Sequence, residues 1–144
     1  MYKPNYSVIL GNVGACSDRY MGCGYSKPFS VDEMFQRVAS IEGVRGVELV
    51  SNWHITKDNI SQIKANLDKY NLKLVSIIPD HFSQMKWGKG AFCSKDAGIR
   101  RDAVAVTKEM IDISKKLGGN LISLWTGQDG YDYYWEADYI KERI

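Results

Sequence analysis

Asp80 and His81 stand side by side at the end of an apolar run, Ser76-Ile77-Ile78-Pro79-Asp80-His81-Phe82. A second polar pair, Gln128 and Asp129, closes another such run, Leu121-Ile122-Ser123-Leu124-Trp125-Thr126-Gly127. An imidazole titrates in the range that suits general acid or base work, and a carboxylate beside it can orient it. Trp53, Trp87 and Trp125 offer flat apolar faces of the kind that suit carbohydrate stacking. The candidate catalytic residues are therefore His81 and, more weakly, His54. The candidate substrate-binding residues are Trp125, Trp87, Trp53, Asp80, Gln128 and Asp129. Each has a plainer reading: a loop histidine bonded to Asp80 or water, or a tryptophan that fills the core or covers the sheet end. Glu48 lies inside the apolar run Val44 to Val50, so it needs a partner, such as a neighbouring arginine, or a role in the site. No group of residues has a spacing that commits it to a metal. Cys16, Cys23 and Cys93 are odd in number, form no CxxC pair and read as free thiols.

The elements that must position these residues alternate between strand and helix. Tyr6 to Gly11 reads as a first strand, followed by a Gly-rich loop from Asn12 to Pro28 of a length that is often functional. Ser30 and Glu33 make a capping box ahead of a helix whose stripe is Val31, Met34, Phe35, Val38 and Ile41, ended by Gly43. A second strand covers Val44 to Val50. Thr56 caps a helix with Ile60, Ile63 and Leu67 on one face, ended by Asn71. A third strand covers Leu72 to Ile78. Asp96 to Arg101 opens a helix of about five turns, because Ile99, Ala103, Val106, Met110, Ile113 and Leu117 fall in steps of four and three. A fourth strand follows near residues 121 to 126, and the pattern turns helical again beyond Tyr133. Arg100 or Arg101 is expected to pair with Asp96, Asp102 or a neighbouring loop.

Four strand-helix units imply right-handed crossovers and a parallel sheet. Two architectures fit, a small open doubly wound sheet and half of a (β/α)8 barrel, and periodicity does not choose between them. Gly11-Asn12-Val13-Gly14 is not GxGxxG and no GxxxxGK[ST] is present, which weakens a nucleotide-binding reading. The 144 residues make one domain, 44% hydrophobic and 25% charged, with a net charge of +2 from interspersed residues. That balance leaves no electrostatic footprint for nucleic acid. No apolar run has the length to cross a bilayer and the start lacks the apolar core of a secretion signal, so no membrane partner and a cytoplasmic location are expected.

One stretch goes further. Lys89-Gly90-Ala91-Phe92 with Ser94 and Asp96, the Arg100-Arg101 pair with Ala103 behind it, Leu117-Gly118, and Trp125-Thr126-Gly127-Gln128-Asp129-Gly130 together resemble the xylose isomerase-like sugar isomerase and epimerase family of TIM barrels. The last of these is similar to the family's Trp-Gly-Gly-Arg-Glu-Gly turn. The resemblance departs at the second strand, where Leu49-Val50-Ser51 stands in place of the Phe-His-Asp run of xylose isomerases proper, and at Gln128-Asp129 in place of Arg-Glu. Those departures point to a relative acting on another sugar.

The resemblance implies an α/β fold, the N-terminal half of a TIM (β/α)8 barrel with about four β/α units, residues 1–144 running from the first strand to the start of a fourth helix. It implies a sugar isomerase or epimerase that in its full-length form uses a divalent metal (Mg, Mn, Co or Zn), acts on a small-molecule sugar and assembles as a homo-oligomer. The metal ligands would come from the second half of such a barrel, so none is expected to be held here. The chain alone is then expected to be inactive, marginally stable and prone to self-association. The alternative is a non-catalytic carbohydrate-binding or assembly module with the open doubly wound fold.

Overall fold

The computed structural model describes residues 4–17 and 20–130. Strand β1 (Tyr6–Ile9) runs into a 3-10 turn at Leu10–Val13, and helix α1 (Val31–Ala39), strand β2 (Val44–Val50), helix α2 (Ile60–Lys69), strand β3 (Lys73–Ile78) and helix α3 (Ala97–Lys116) follow in strict alternation. The strands are parallel and lie in sequential order, β1 beside β2 beside β3. With β1 at an edge, the open doubly wound arrangement, which places the first strand inside the sheet, does not apply. The fourth strand expected at residues 121 to 126 is shorter than its apolar run suggested. It contributes a single parallel bridge, Ile122 to Ile77, in which Ser123 N–H donates to Ile77 O at 3.0 Å.

Local signals explain most of the boundaries. Ser30 and Glu33 form both bonds of the capping box, and the Asp96 side chain caps α3 by accepting from Gly98 N–H at 2.6 Å. Asn71 takes the left-handed conformation at φ 50° after α2. That helix starts at Ile60 and not at Thr56. Asn59 intervenes, its Oδ1 accepting from Thr56 N–H at 2.9 Å and its Nδ2 donating to His54 O at 3.0 Å, so the segment is spent on a turn. Arg100 donates to the carbonyls of Ser94 and Lys95, the neighbouring-loop pairing, while Asp102 pairs with Lys86.

Among the described residues the helices cover one face of the sheet. Phe35, Val38, Ile63, Leu67, Met110 and Ile113 pack on Val47, Leu49, Leu74 and Ile77 to form the core. On the other face register decides which residues meet. Ile9 pairs with Glu48 and Glu48 with Ser76, because the β2–β3 register shifts between Val47 and Glu48 and leaves Val75 without a partner in β2. That face therefore carries a row of hydrogen bonds. Ser7 donates to Glu48 Oε1 at 3.1 Å, Ser76 to Glu48 Oε2 at 2.8 Å, and Ser123 to Ser76 at 3.1 Å. The partner that Glu48 requires is thus a pair of serines and not an arginine.

Candidate functional site

The loops that leave the C-terminal ends of the strands gather at one end of the sheet, and three aromatic rings meet there. Trp53 follows β2, Phe82 follows β3 and Trp125 follows the fourth run. The Phe82 ring lies 5.7 Å from Trp53 and 4.5 Å from Trp125, centroid to centroid. Trp53 is 51% and Trp125 60% exposed, so both keep a face open to solvent. Trp53 is held by its indole N–H, which donates to Ser83 Oγ at 3.2 Å.

Beside this platform lies a cavity of about 260 Å³ lined by residues that include Gly11, Asn12, Phe29, Met34, Trp53 and His54. His54 is buried, and Val50 N–H donates to its Nδ1 at 2.9 Å. A backbone amide can only donate, so Nδ1 is unprotonated and the neutral ring carries its proton on Nε2. The Nε2 and Cε1 edge stands against Gly11 in the cavity wall. Burial lowers the His54 pKa from 6.5 to about 4. At neutral pH His54 is therefore a hydrogen-bond donor with a fixed tautomer and has no free basic nitrogen.

The other residues singled out from sequence are placed differently. Asp80 is buried and turned into its own loop, where Phe82 N–H, Ser83 N–H, the Ser83 hydroxyl, Asn52 and Gln84 donate to its oxygens. Burial pushes its carboxyl up, but the bonds from Ser83, Phe82 and Asn52 outweigh this and hold it below the usual carboxylate range. Asp80 thus organises the loop that carries Phe82 and Ser83 and presents no unengaged carboxylate. His81 lies under α3, with Phe92 and Trp87 against its ring at 4.8 and 5.5 Å and its Nε2 donating to Ala103 O at 3.1 Å. Burial lowers its pKa. Trp87 is fully buried against Ala91 and Ala103 and covers the sheet end, so it does not wall the mouth of a pocket. Asp129 is also buried, its carboxylate accepting from the backbone N–H groups of Ala91, Phe92 and Cys93. The Gln128 side chain lies outside the described residues. The structure thus brings Trp53 and Trp125 together at an accessible surface, with buried His54 against Trp53 in the cavity beside it, and leaves Asp80, His81, Trp87 and Asp129 as internal supports. Glu48, His81 and Trp125 do not converge on one open pocket, because the His81 ring is turned beneath α3.

Phe82 was missed. Its signal was positional: an aromatic immediately after a strand-ending Pro-Asp-His sits where binding loops begin.

A family model for the xylose isomerase-like TIM barrel matches residues 35–144. The chain belongs to this family. Within xylose isomerase-like barrels the C-terminal ends of the strands form the active-site face, and it is at that end that the aromatic platform and the His54 cavity lie. Among curated relatives, the chain is 33% identical over 76 residues to a xylose isomerase of Enterococcus faecalis (strain ATCC 700802 / V583), a stretch covering 53% of this chain and 18% of that protein. It is 31% identical over 87 residues to a xylose isomerase of Fervidobacterium gondwanense, covering 60% of this chain and 20% of the relative. A xylose isomerase of Tetragenococcus halophilus is 32% identical over 76 residues, 53% of this chain and 18% of its own. The matched stretches thus span about a fifth of these relatives' lengths.

The described residues do not fit a divalent metal. Among them no three His, Cys, Asp or Glu side chains converge to hold one. Glu48 has its oxygens engaged by Ser7 and Ser76, and Asp80 and Asp129 have theirs engaged by loop donors. Also among the described residues, no helix is long and apolar enough to cross a membrane.

Proposed function

We propose that this chain forms the N-terminal half of a sugar isomerase or epimerase barrel, residues 1–144, and contributes one wall of its sugar site. Trp125 and Trp53, bridged by Phe82, take the apolar face of a small sugar ring. His54 donates its Nε2–H to a hydroxyl or carbonyl oxygen placed in the adjoining cavity. A donor fixed in place and partly removed from water favours the form of the sugar in which that oxygen carries more negative charge, which is the direction of change when a carbonyl enolises. The observation that carries this reading is the three-ring contact at the C-terminal end of a parallel sheet, beside a histidine whose proton is pinned on Nε2.

Asp80 acts through the loop it organises. His81 and Trp87 hold that loop against α3 and take no part in proton transfer, since both His81 nitrogens are enclosed and one is bonded to Ala103 O. The row of Ser7, Glu48, Ser76 and Ser123 faces the side of the sheet that a second set of strands would cover. On this reading turnover requires that second half, and the chain alone binds sugar weakly without converting it.

Isothermal titration of the chain with aldopentoses and their ketoses tests the reading. Binding in about the millimolar range is expected, weakened by W125A and by H54Q. Conversion of an aldose by the chain alone would instead make it a complete catalyst, and binding unaffected by either substitution would remove the site.

A further inference from the structure

Asp129 ties two loops together, and the tie has consequences for Trp125. Its buried carboxylate sits in a nest of consecutive amides, accepting from Ala91, Phe92 and Cys93 in the long β3–α3 loop. Gly90 makes the approach possible. It adopts φ 98°, and a Cβ there would lie 2.7 Å from Asp129 Oδ1. Four residues before Asp129, Trp125 packs on Phe82 at the other end of the same loop. Between them Gly127, at φ 52°, passes so close that a Cβ would lie 2.9 Å from Phe82 Cβ. The turn after the fourth run is thus fastened to the β3–α3 loop at two places, with Trp125 at one and Asp129 at the other.

We propose that Asp129 is a positioning residue for the sugar site: by gripping the amides of residues 91–93 it fixes the turn 125–129 and holds the Trp125 indole over Phe82. The role of the platform rests on the function proposed above, while the grip itself does not. Without the carboxylate the three amides lose their shared acceptor. The turn is then retained only by the ring contact, and Trp125 samples orientations that no longer match a sugar face.

The test compares wild type, D129N and G90A, the last of which drives the carboxylate out of its nest without removing it. Three quantities are read: amide exchange at residues 91–93, acrylamide quenching of Trp125 taken as the difference between each protein and its W125F counterpart, and affinity for whichever of the aldopentoses, aldohexoses and their ketoses the wild type binds best. Both variants are expected to exchange faster at 91–93, to show altered Trp125 quenching, and to bind sugar about tenfold more weakly. Faster exchange with unchanged Trp125 quenching would overturn the proposal, because Asp129 would then close a loop without positioning anything. Loss of the folded state in both variants would overturn it too, since Asp129 would be a requirement of the fold. If the wild type binds none of these sugars, the functional reading fails and the quenching comparison still decides the grip.

Discussion

Ser76 donates its hydroxyl to Glu48 Oε2 at 2.8 Å from the neighbouring strand, and the unpaired Val75 is what places it there. With strict alternation from Leu74, Ser76 would face the helices; the extra residue turns it to the opposite side, directly across from Glu48. Ser76 is buried. Replacing it with alanine removes one of the two hydroxyls that hold the carboxylate, and S76A should cost about 1–2 kcal/mol in urea unfolding. A midpoint equal to wild type would show that Glu48 is satisfied by other means.

That register shift also marks how far the sequence could be read. The apolar runs and helical stripes located every described strand and α-helix, and end signals at Ser30 and Asn71 located two boundaries, because these signals are local. Side-chain direction in the loops was not local. His81 and Asp129 carry polar groups at the C-terminal end of the strands, yet their partners are a carbonyl and amides tens of residues away, at Ala103 and at Ala91 to Cys93. Backbone partners leave no mark on composition. The sequence favours Trp125 as a pocket face and leaves Trp87 either at the pocket mouth or over the sheet end, and packing against Ala91 and Ala103 decides the second for Trp87.

The His54 environment predicts a pH dependence. Burial lowers its pKa from 6.5 to about 4, so between those values the unfolded chain binds a proton that the folded chain does not. Stability present above pH 6.5 is lost as the pH falls toward 4, by about 3 kcal/mol from this group. His81, lowered in the same direction by burial, adds to the slope in any protein that retains it. Urea midpoints of wild type and H54Q between pH 7 and pH 4 should therefore converge on acidification. Parallel curves would mean that His54 is not buried in its neutral form.

Trp87 and Trp125 should separate stability from binding. W87F opens space in a fully buried cluster and should lower stability by about 1–2 kcal/mol without changing sugar affinity. W125A should leave stability within about 0.5 kcal/mol of wild type and weaken sugar binding about tenfold. Denaturation paired with calorimetric titration of both variants checks this, and a reversed pattern would exchange the roles of the two rings.

Among the described residues the outer side of β1 and the outer side of the run at Leu121 to Ser123 pair with no further strand. Open edges of a parallel sheet invite pairing with another copy. Sedimentation velocity should show association that grows with concentration, reduced by L121K, which places a charge at a half-exposed edge position. A concentration-independent monomer would contradict this.

The central claim is that a small sugar lies on the platform formed by Trp53, Phe82 and Trp125, next to His54. The most direct measurement is a titration of the isotopically labelled chain with a panel of aldopentoses and aldohexoses and their ketoses, followed by two-dimensional NMR of backbone amides and indole N–H groups. The account predicts saturable shifts concentrated at Trp53, His54, Phe82 and Trp125, with a much smaller response at Arg45 and Lys73 around the cavity at the opposite end of the strands. Shifts confined to that opposite end, or none at saturating sugar, would contradict it.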